Sequence, residues 1–234
     1  MPLPILEAAK YTTVVPSTNE TIEFRPFLVK EEKILMLAQE SDNPSQIIGS
    51  LKQIIEACTF GLIEPSALTT YDLEYLFLQL RAKSVGETSD IISKCRECEA
   101  ENPVEINLSD ITVKFPEEEL NNKIELTDTI GIILRPISIG KSEELSKLSA
   151  NDETLTRSIG ACIESIYDSN GVYIADDTSE KEMGQFIDSL THDQLHKIQR
   201  YIENQPELKE VLKFKCKKCG HDNEVTISGL SSFF

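Results

Sequence analysis

Two stretches of this chain share one pattern. Lys94-Cys95-Arg96-Glu97-Cys98 and Lys215-Cys216-Lys217-Lys218-Cys219 each open a segment in which Lys, both Cys, an Asn (Asn102, Asn223), a Val (Val104, Val225) and an Ile (Ile106, Ile227) return at one spacing, shifted by 121 positions. A Cys-x-x-Cys turn offers two thiolates from one tight loop, so a closed tetrahedral site needs two such turns facing each other. After each turn the chain alternates apolar and polar, in Val104-Glu105-Ile106-Asn107-Leu108 and in Val225-Thr226-Ile227, as a strand with one buried face does. The pattern predicts a zinc-ribbon-like site in which Cys95, Cys98, Cys216 and Cys219 hold one structural Zn2+.

Two other states use the same residues. An iron–sulfur cluster also takes four cysteines, and the metal-free alternative is a disulfide within each pair. The gap between the turns is far longer than the roughly 15–20 residues of the usual double-knuckle pattern. Duplication offers a way round it, because two copies of one module placed face to face bring equivalent ends together. Position 99 departs from the pattern: the turn favours φ > 0 after the second Cys, which suits Gly220 but not Glu99. A thioredoxin-type redox pair would need its first Cys at a helix N-terminus, whereas a strand follows here.

The repeat extends beyond the cysteines. Phe24-Arg25-Pro26 and Leu134-Arg135-Pro136 each end an apolar run and lead into a charged helix, expected from Lys30 to Gln39 and from Ser142 to Leu148. Leu51, Ile55 and Cys58 recur as Leu155, Ile159 and Cys162, on the apolar stripe of an amphipathic helix. There each single Cys reads as a small buried hydrophobe, not a reactive thiol. Thr70-Tyr71-Asp72 and Thr191-His192-Asp193 read as helix starts, with threonine caps and acids in the first turn. One difference is an insertion, Ile166 to Ile174, whose Asn170-Gly171 marks a tight hairpin. The expected architecture is α+β and helix-rich: a duplicated module with a first copy over 1–115 and a second over 116–234, each with a short β element and a knuckle with its strand. The polar Pro116–Asn122 segment joins them.

The 234 residues suffice for one large or two modest cores. With 40 acidic against 23 basic side chains, the net charge of −17 would repel phosphate backbones, so no nucleic-acid partner is expected. No run approaches the ~20 apolar residues that span a bilayer, and Met1–Glu7 lacks a basic leader. The expectation is a soluble cytoplasmic protein with no membrane partner.

Catalytic patterns are absent, and no enzyme is expected. His192 and His196 stand at i and i+4 with Asp193 between, an echo of the zinc-protease motif, but Tyr71 and Tyr75 take the equivalent places in the first copy. Gly140-Lys141-Ser142 ends like a phosphate loop, yet the required earlier glycine falls at Arg135. His221 reads as an exposed loop residue.

Several stretches, taken in order, resemble a known family. They are the run from Thr70 through Arg81 to Glu87 before the first Cys pair, the run from Ile163 through Asp188-Ser189-Leu190-Thr191 to Tyr201-Ile202 and Pro206, and the close on Gly229-Leu230 and Phe233-Phe234. From about Phe24 onward the chain resembles the baseplate hub proteins of T4-type contractile-tailed phages. That resemblance implies a non-enzymatic structural or assembly subunit. It would be built with other baseplate and hub proteins in the host cytoplasm, with room for a place in a symmetric tail assembly. The competing class is a zinc-ribbon adaptor acting on transcription or another host complex. A ribbon on a flexible tether would mark the adaptor, and knuckles packed with the helical copies would mark the phage component.

Overall fold

The computed structural model describes residues 6–41, 43–116, 121–148 and 152–229, without the side chains of Gln39, Asp152 and Glu153. Met1–Ile5, the middle of the Pro116–Asn122 joint and Leu230–Phe234 thus lie outside the described residues. The protein has two compact units, one of Met1–Lys114 with Glu207–Phe234 and one of Phe115–Pro206.

The first unit opens with an antiparallel hairpin, β1 (Tyr11–Val14) and β2 (Thr21–Phe24), the short β element expected of the first copy. Three helices follow: α1 (Val29–Glu40), α2 (Pro44–Cys58) and α3 (Thr70–Ser84). Asn43 caps α2 by accepting from the Ser45 N–H, and Pro44 fits the first turn, where no N–H is needed. The expected apolar stripe of α2 is buried at Leu51, Ile54, Ile55 and Cys58. The Arg25 N–H donates to the Cys58 carbonyl (3.0 Å) and ties the end of β2 to the end of α2. Beside it, the Arg25 guanidinium donates to the buried Glu31 carboxylate (2.8 Å), which also accepts from the Leu28 N–H. Burying such a pair is costly unless its lone pairs are occupied, and here they are.

The start of α3 differs from the sequence expectation by one residue. Thr69, not Thr70, is the cap: its hydroxyl accepts from the Asp72 N–H, while Asp72 answers by accepting from the Thr69 N–H and hydroxyl. Asp72 also accepts from the Ser17 N–H (2.9 Å), so the buried carboxylate pins the first hairpin's turn to the helix. A capping box needs the acid three residues after the cap, and Asp72 stands there for Thr69 only.

After α3 come β3 (Thr88–Lys94) and β4 (Glu101–Asn107), an antiparallel pair, and the short β5 (Val113–Lys114).

The second unit is a four-stranded antiparallel sheet with helices. Its strands β6 (Lys123–Glu125), β7 (Gly131–Leu134), β8 (Ile163–Tyr167) and β9 (Val172–Ile174) lie in that spatial order. Its helices are α4 (Ile139–Ser146), α5 (Asp152–Cys162), α6 (Glu180–Asp188) and α7 (His192–Glu203). Ile124, Ile132, Leu134, Ile159, Ile163, Met183, Ile187, Ile198 and Tyr201 form its core. The Arg135 N–H donates to the Cys162 carbonyl (2.7 Å), the same tie that Arg25 makes to Cys58. The inserted hairpin turns as Asn170-Gly171 predicted, with Asp168 accepting from both backbone N–H groups.

Two expectations are corrected here. Helix α4 starts at Ile139, ahead of Ser142, because Ser138 caps it through the Lys141 N–H. Leu155 is 54% exposed while Ile159 and Cys162 are buried. It sits in the first turn of α5, ahead of Gly160, where Met183 and Ile187 of α6 close on the helix.

The chain returns to the first unit in β10 (Glu207–Lys215) and β11 (Asp222–Ser228), and β10 pairs with both β11 and β5. Leu208 and Leu212 of β10 are buried with Leu78 and Ala82 of α3, Ile106 of β4, Leu108 and Ile111. Both hairpins therefore share one core with α3.

We expect Thr69→Ala to lower stability by about 1–2 kcal/mol, because it strips a cap and leaves the buried Asp72 short of a donor. Thr70→Ala should cost far less. Urea unfolding of the two variants in parallel checks the assignment.

Candidate metal centre

The two Cys-x-x-Cys turns are the tips of β3–β4 and β10–β11. The first hairpin pairs Thr88 with Asn107 through to Lys94 with Glu101, and the second pairs Lys209 with Ser228 through to Lys215 with Asp222. Adding 121 to every residue of the first register gives the second. The tips close alike. The Cys95 N–H donates to the Ala100 carbonyl (2.9 Å) and the Cys216 N–H to the His221 carbonyl (2.8 Å). The Glu99 and Gly220 N–H groups donate back to the carbonyls of Cys95 and Cys216, each at 2.9 Å. Glu99 takes φ 55 and Gly220 φ 75, so the turn imposes a left-handed residue even where the sequence supplies a glutamate.

The tips bring the four sulfurs within 4.8 Å of one another. Cys95 Sγ lies 3.7 Å from Cys219 Sγ, and Cys98 Sγ lies 3.6 Å from Cys216 Sγ. A tetrahedral ion with Zn–S bonds of about 2.3 Å needs sulfurs roughly 3.8 Å apart, so the donor set fits such an ion. A disulfide needs a bond of about 2.05 Å, and all six cysteines are free. Cys95 and Cys216 are buried, Cys98 is half-buried and Cys219 is exposed. All four proposed ligands therefore come together.

Backbone N–H groups point at these sulfurs. The Cys216 thiol is pushed down to about 6, first by the Cys219 N–H and against its burial, with the Lys218 N–H and neighbouring thiols assisting. Burial acts against ionisation of Cys95, yet the N–H groups of Cys98 and Glu97 and the Asn223 amide hold it below the ordinary thiol range. Cys219 receives the His221 N–H, but the neighbouring sulfurs of Cys98, Cys216 and Cys95 push it up to about 12. Four thiolates this close repel one another, and a divalent cation between them removes that penalty.

The remaining sequence candidates are dispersed. Burial pushes the Cys58 and Cys162 thiols up to about 11, against the pull of Arg25 and Arg135, which fits inert core residues. His192 and His196 are exposed on α7, their rings 6.4 Å apart and edge to face. Among the described residues the four cysteines are the one group of three or more His, Cys, Asp or Glu side chains placed to hold an ion. Gly140-Lys141-Ser142 lies inside α4. Asn102 and Asn223, visible in the sequence only as repeated residues, lie against Cys216 and Cys95 of the opposite tips.

Mixed α/β architecture with paired cysteine turns defines a class, and comparison with known proteins supplies its family. Residues 8–234 match the family described as T4 bacteriophage base plate protein, and the chain belongs to it. It is 26% identical over 216 residues to the baseplate hub assembly protein gp26 of Enterobacteria phage T4, covering 92% of this chain and 93% of that protein. No solved structure matches significantly. The resemblance drawn from the sequence is thus shown. Among the described residues no helix is long and apolar enough to cross a membrane.

Relieving the left-handed strain at position 99 should stabilise the tip, so we expect Glu99→Gly to be neutral or to gain up to about 1 kcal/mol. Gly220→Ala should cost about 1 kcal/mol. Thermal melts of both check the turn geometry. With chelator present at pH 8, Cys216, whose thiol is pushed down to about 6, should react with iodoacetamide well before Cys58 and Cys162, whose thiols are pushed up to about 11, as peptide mass mapping would show; equal labelling would contradict that order.

Proposed function

We propose that this protein is a non-enzymatic structural or assembly component of a phage tail baseplate hub, stabilised by one structural metal ion on Cys95, Cys98, Cys216 and Cys219. The family match across residues 8–234 carries the role, and the printed name of the T4 relative, a baseplate hub assembly protein, gives it direction. The partners are other baseplate and hub proteins, met in the host cytoplasm during assembly and in the virion tail baseplate. No nucleophile with a base and no phosphate-binding loop stands out in the sequence, in keeping with a role in building.

The metal is best read as Zn2+. Sulfurs within 4.8 Å of one another suit a single ion, whereas a cluster with bridging sulfides needs thiolates spread around a larger core. Zinc accepts four thiolates without redox chemistry. A closed set of four leaves no open position for a substrate, as expected of a structural site.

The duplicated origin, with copies over 1–115 and 116–234, belongs to the same proposal. It is supported by the shared hairpin register, the matching ties from Arg25 to Cys58 and from Arg135 to Cys162, and the repeated tip closures. The adaptor alternative is less favoured. Both knuckle hairpins share a core with α3, which a tethered ribbon would not do.

We expect the native protein to carry one zinc per chain by mass spectrometry. Cys216→Ser should lose most of it and several kcal/mol of stability, a fraction of the ~10–16 kcal/mol that zinc binding gives small metal-dependent folds. Full retention of metal and stability would refute the structural role. Co-expression of a tagged protein with the baseplate proteins of its virus tests the assembly role: hub components should co-purify, and their absence counts against it.

A further inference from the structure

Two side chains bind the knuckles to each other before any ion is considered. Asn102, at the second position of β4, and Asn223, at the second position of β11, are only 2% and 4% exposed. Each amide spans the gap between tips. Asn102 Oδ1 accepts from the Lys217 N–H (2.9 Å), and Asn223 Oδ1 accepts from the Arg96 N–H (2.9 Å). Each Nδ2 donates to a carbonyl of its own turn, Ala100 at 2.8 Å and His221 at 3.0 Å.

Those bonds fix which end of each amide is oxygen, because an oxygen must face the N–H and a nitrogen the carbonyl. The second Nδ2 hydrogen is then left for sulfur. Asn102 Nδ2 lies 3.7 Å from Cys216 Sγ, and Asn223 Nδ2 lies 3.5 Å from Cys95 Sγ. The exchange is reciprocal: each knuckle lends an amide to the first cysteine of the other.

Resting on the reading of the four cysteines as a metal centre, we propose that Asn102 and Asn223 are its positioning residues. Each aims the first ligand of the opposite knuckle and donates to its thiolate, so that the two tips form one interlocked site instead of two half-sites joined only by the ion. An aspartate keeps the acceptor and the size but sets a carboxylate oxygen against a carbonyl and a thiolate. The equivalence of the two asparagines adds a quantitative demand, because the two substitutions must act alike although Glu99 stands in one turn and Gly220 in the other.

The test uses the full chain, loaded with Zn2+ against a chromophoric chelator and separately with Co2+, whose absorption reports the geometry of its thiolate ligands. Asn102→Asp and Asn223→Asp should each weaken Zn2+ binding by about 10–100-fold, the usual effect of removing a partner that orients a ligand. The two losses should agree within a factor of about 3, the far-UV circular dichroism should be kept, and the cobalt spectrum should be altered. If the aspartate variants do not fold, Asn102→Ser and Asn223→Ser, which add no charge, are measured instead with the same expectation. Wild-type protein that loads one ion, beside folded variants that load it as tightly and with an unchanged cobalt spectrum, overturns the role of the asparagines alone. Wild-type protein that takes up no ion overturns the metal reading and this proposal with it.

Discussion

Four sulfurs crowded within 4.8 Å of one another are the constraint on which the first unit turns. They come from hairpins on either side of the chain segment that forms the second unit, so the first unit's own packing must bring them together. The shared core does so: Leu208 and Leu212 of β10 are buried beside Ile106 of β4 against Leu78 and Ala82 of α3, and this packing brings the two tips to the same place. Apolar packing alone would leave the thiols short of hydrogen-bond partners. The N–H groups of each turn and the amide from the opposite tip supply them, and they favour the ionised sulfurs that a cation needs.

Much of this was legible in the sequence because hairpin tips are local. Cysteine spacing, the residues after it and the alternation of the following strand specify a knuckle without knowledge of the rest of the chain, and the return of all three at one interval pointed to a shared site. The resemblance to T4-type baseplate proteins was likewise readable from the order of several stretches. Other features depended on partners distant in sequence. Thr69 is separable from Thr70 by spacing, because Asp72 stands three residues after Thr69 only, whereas the bond that Asp72 accepts from the Ser17 N–H is not legible locally. Leu155 carries an apolar residue at helical spacing, but what covers a helix is decided elsewhere. Glu99 was readable as an exception and still adopts the turn's conformation, since one unfavourable residue is outweighed by the bonds that close the tip.

The division into units shows where sequence repetition and compactness part ways. A duplicated pattern suggests a boundary near Pro116, whereas the final hairpin packs with the first unit. Strand pairing gives the physical reason. Val113 and Lys114 pair with Leu208 and Glu207, so the chain leaves the first unit and re-enters it on neighbouring strands. A segment that departs and returns at paired positions acts on its host as a loop closed at its base, whatever it folds into, and the strand bonds continue across the interruption.

That layout has a consequence for the nascent chain. Cys98 emerges from the ribosome 118 residues before Cys216, and at roughly 5–20 residues per second this is a wait of about ten seconds. During that interval the early thiols have no counterpart to meet, and the apolar side of β4 lacks the strand that will cover it. Completion of the first unit therefore waits on translation of β10 and β11, and a product released before them would carry half of the cysteine set and an uncovered core.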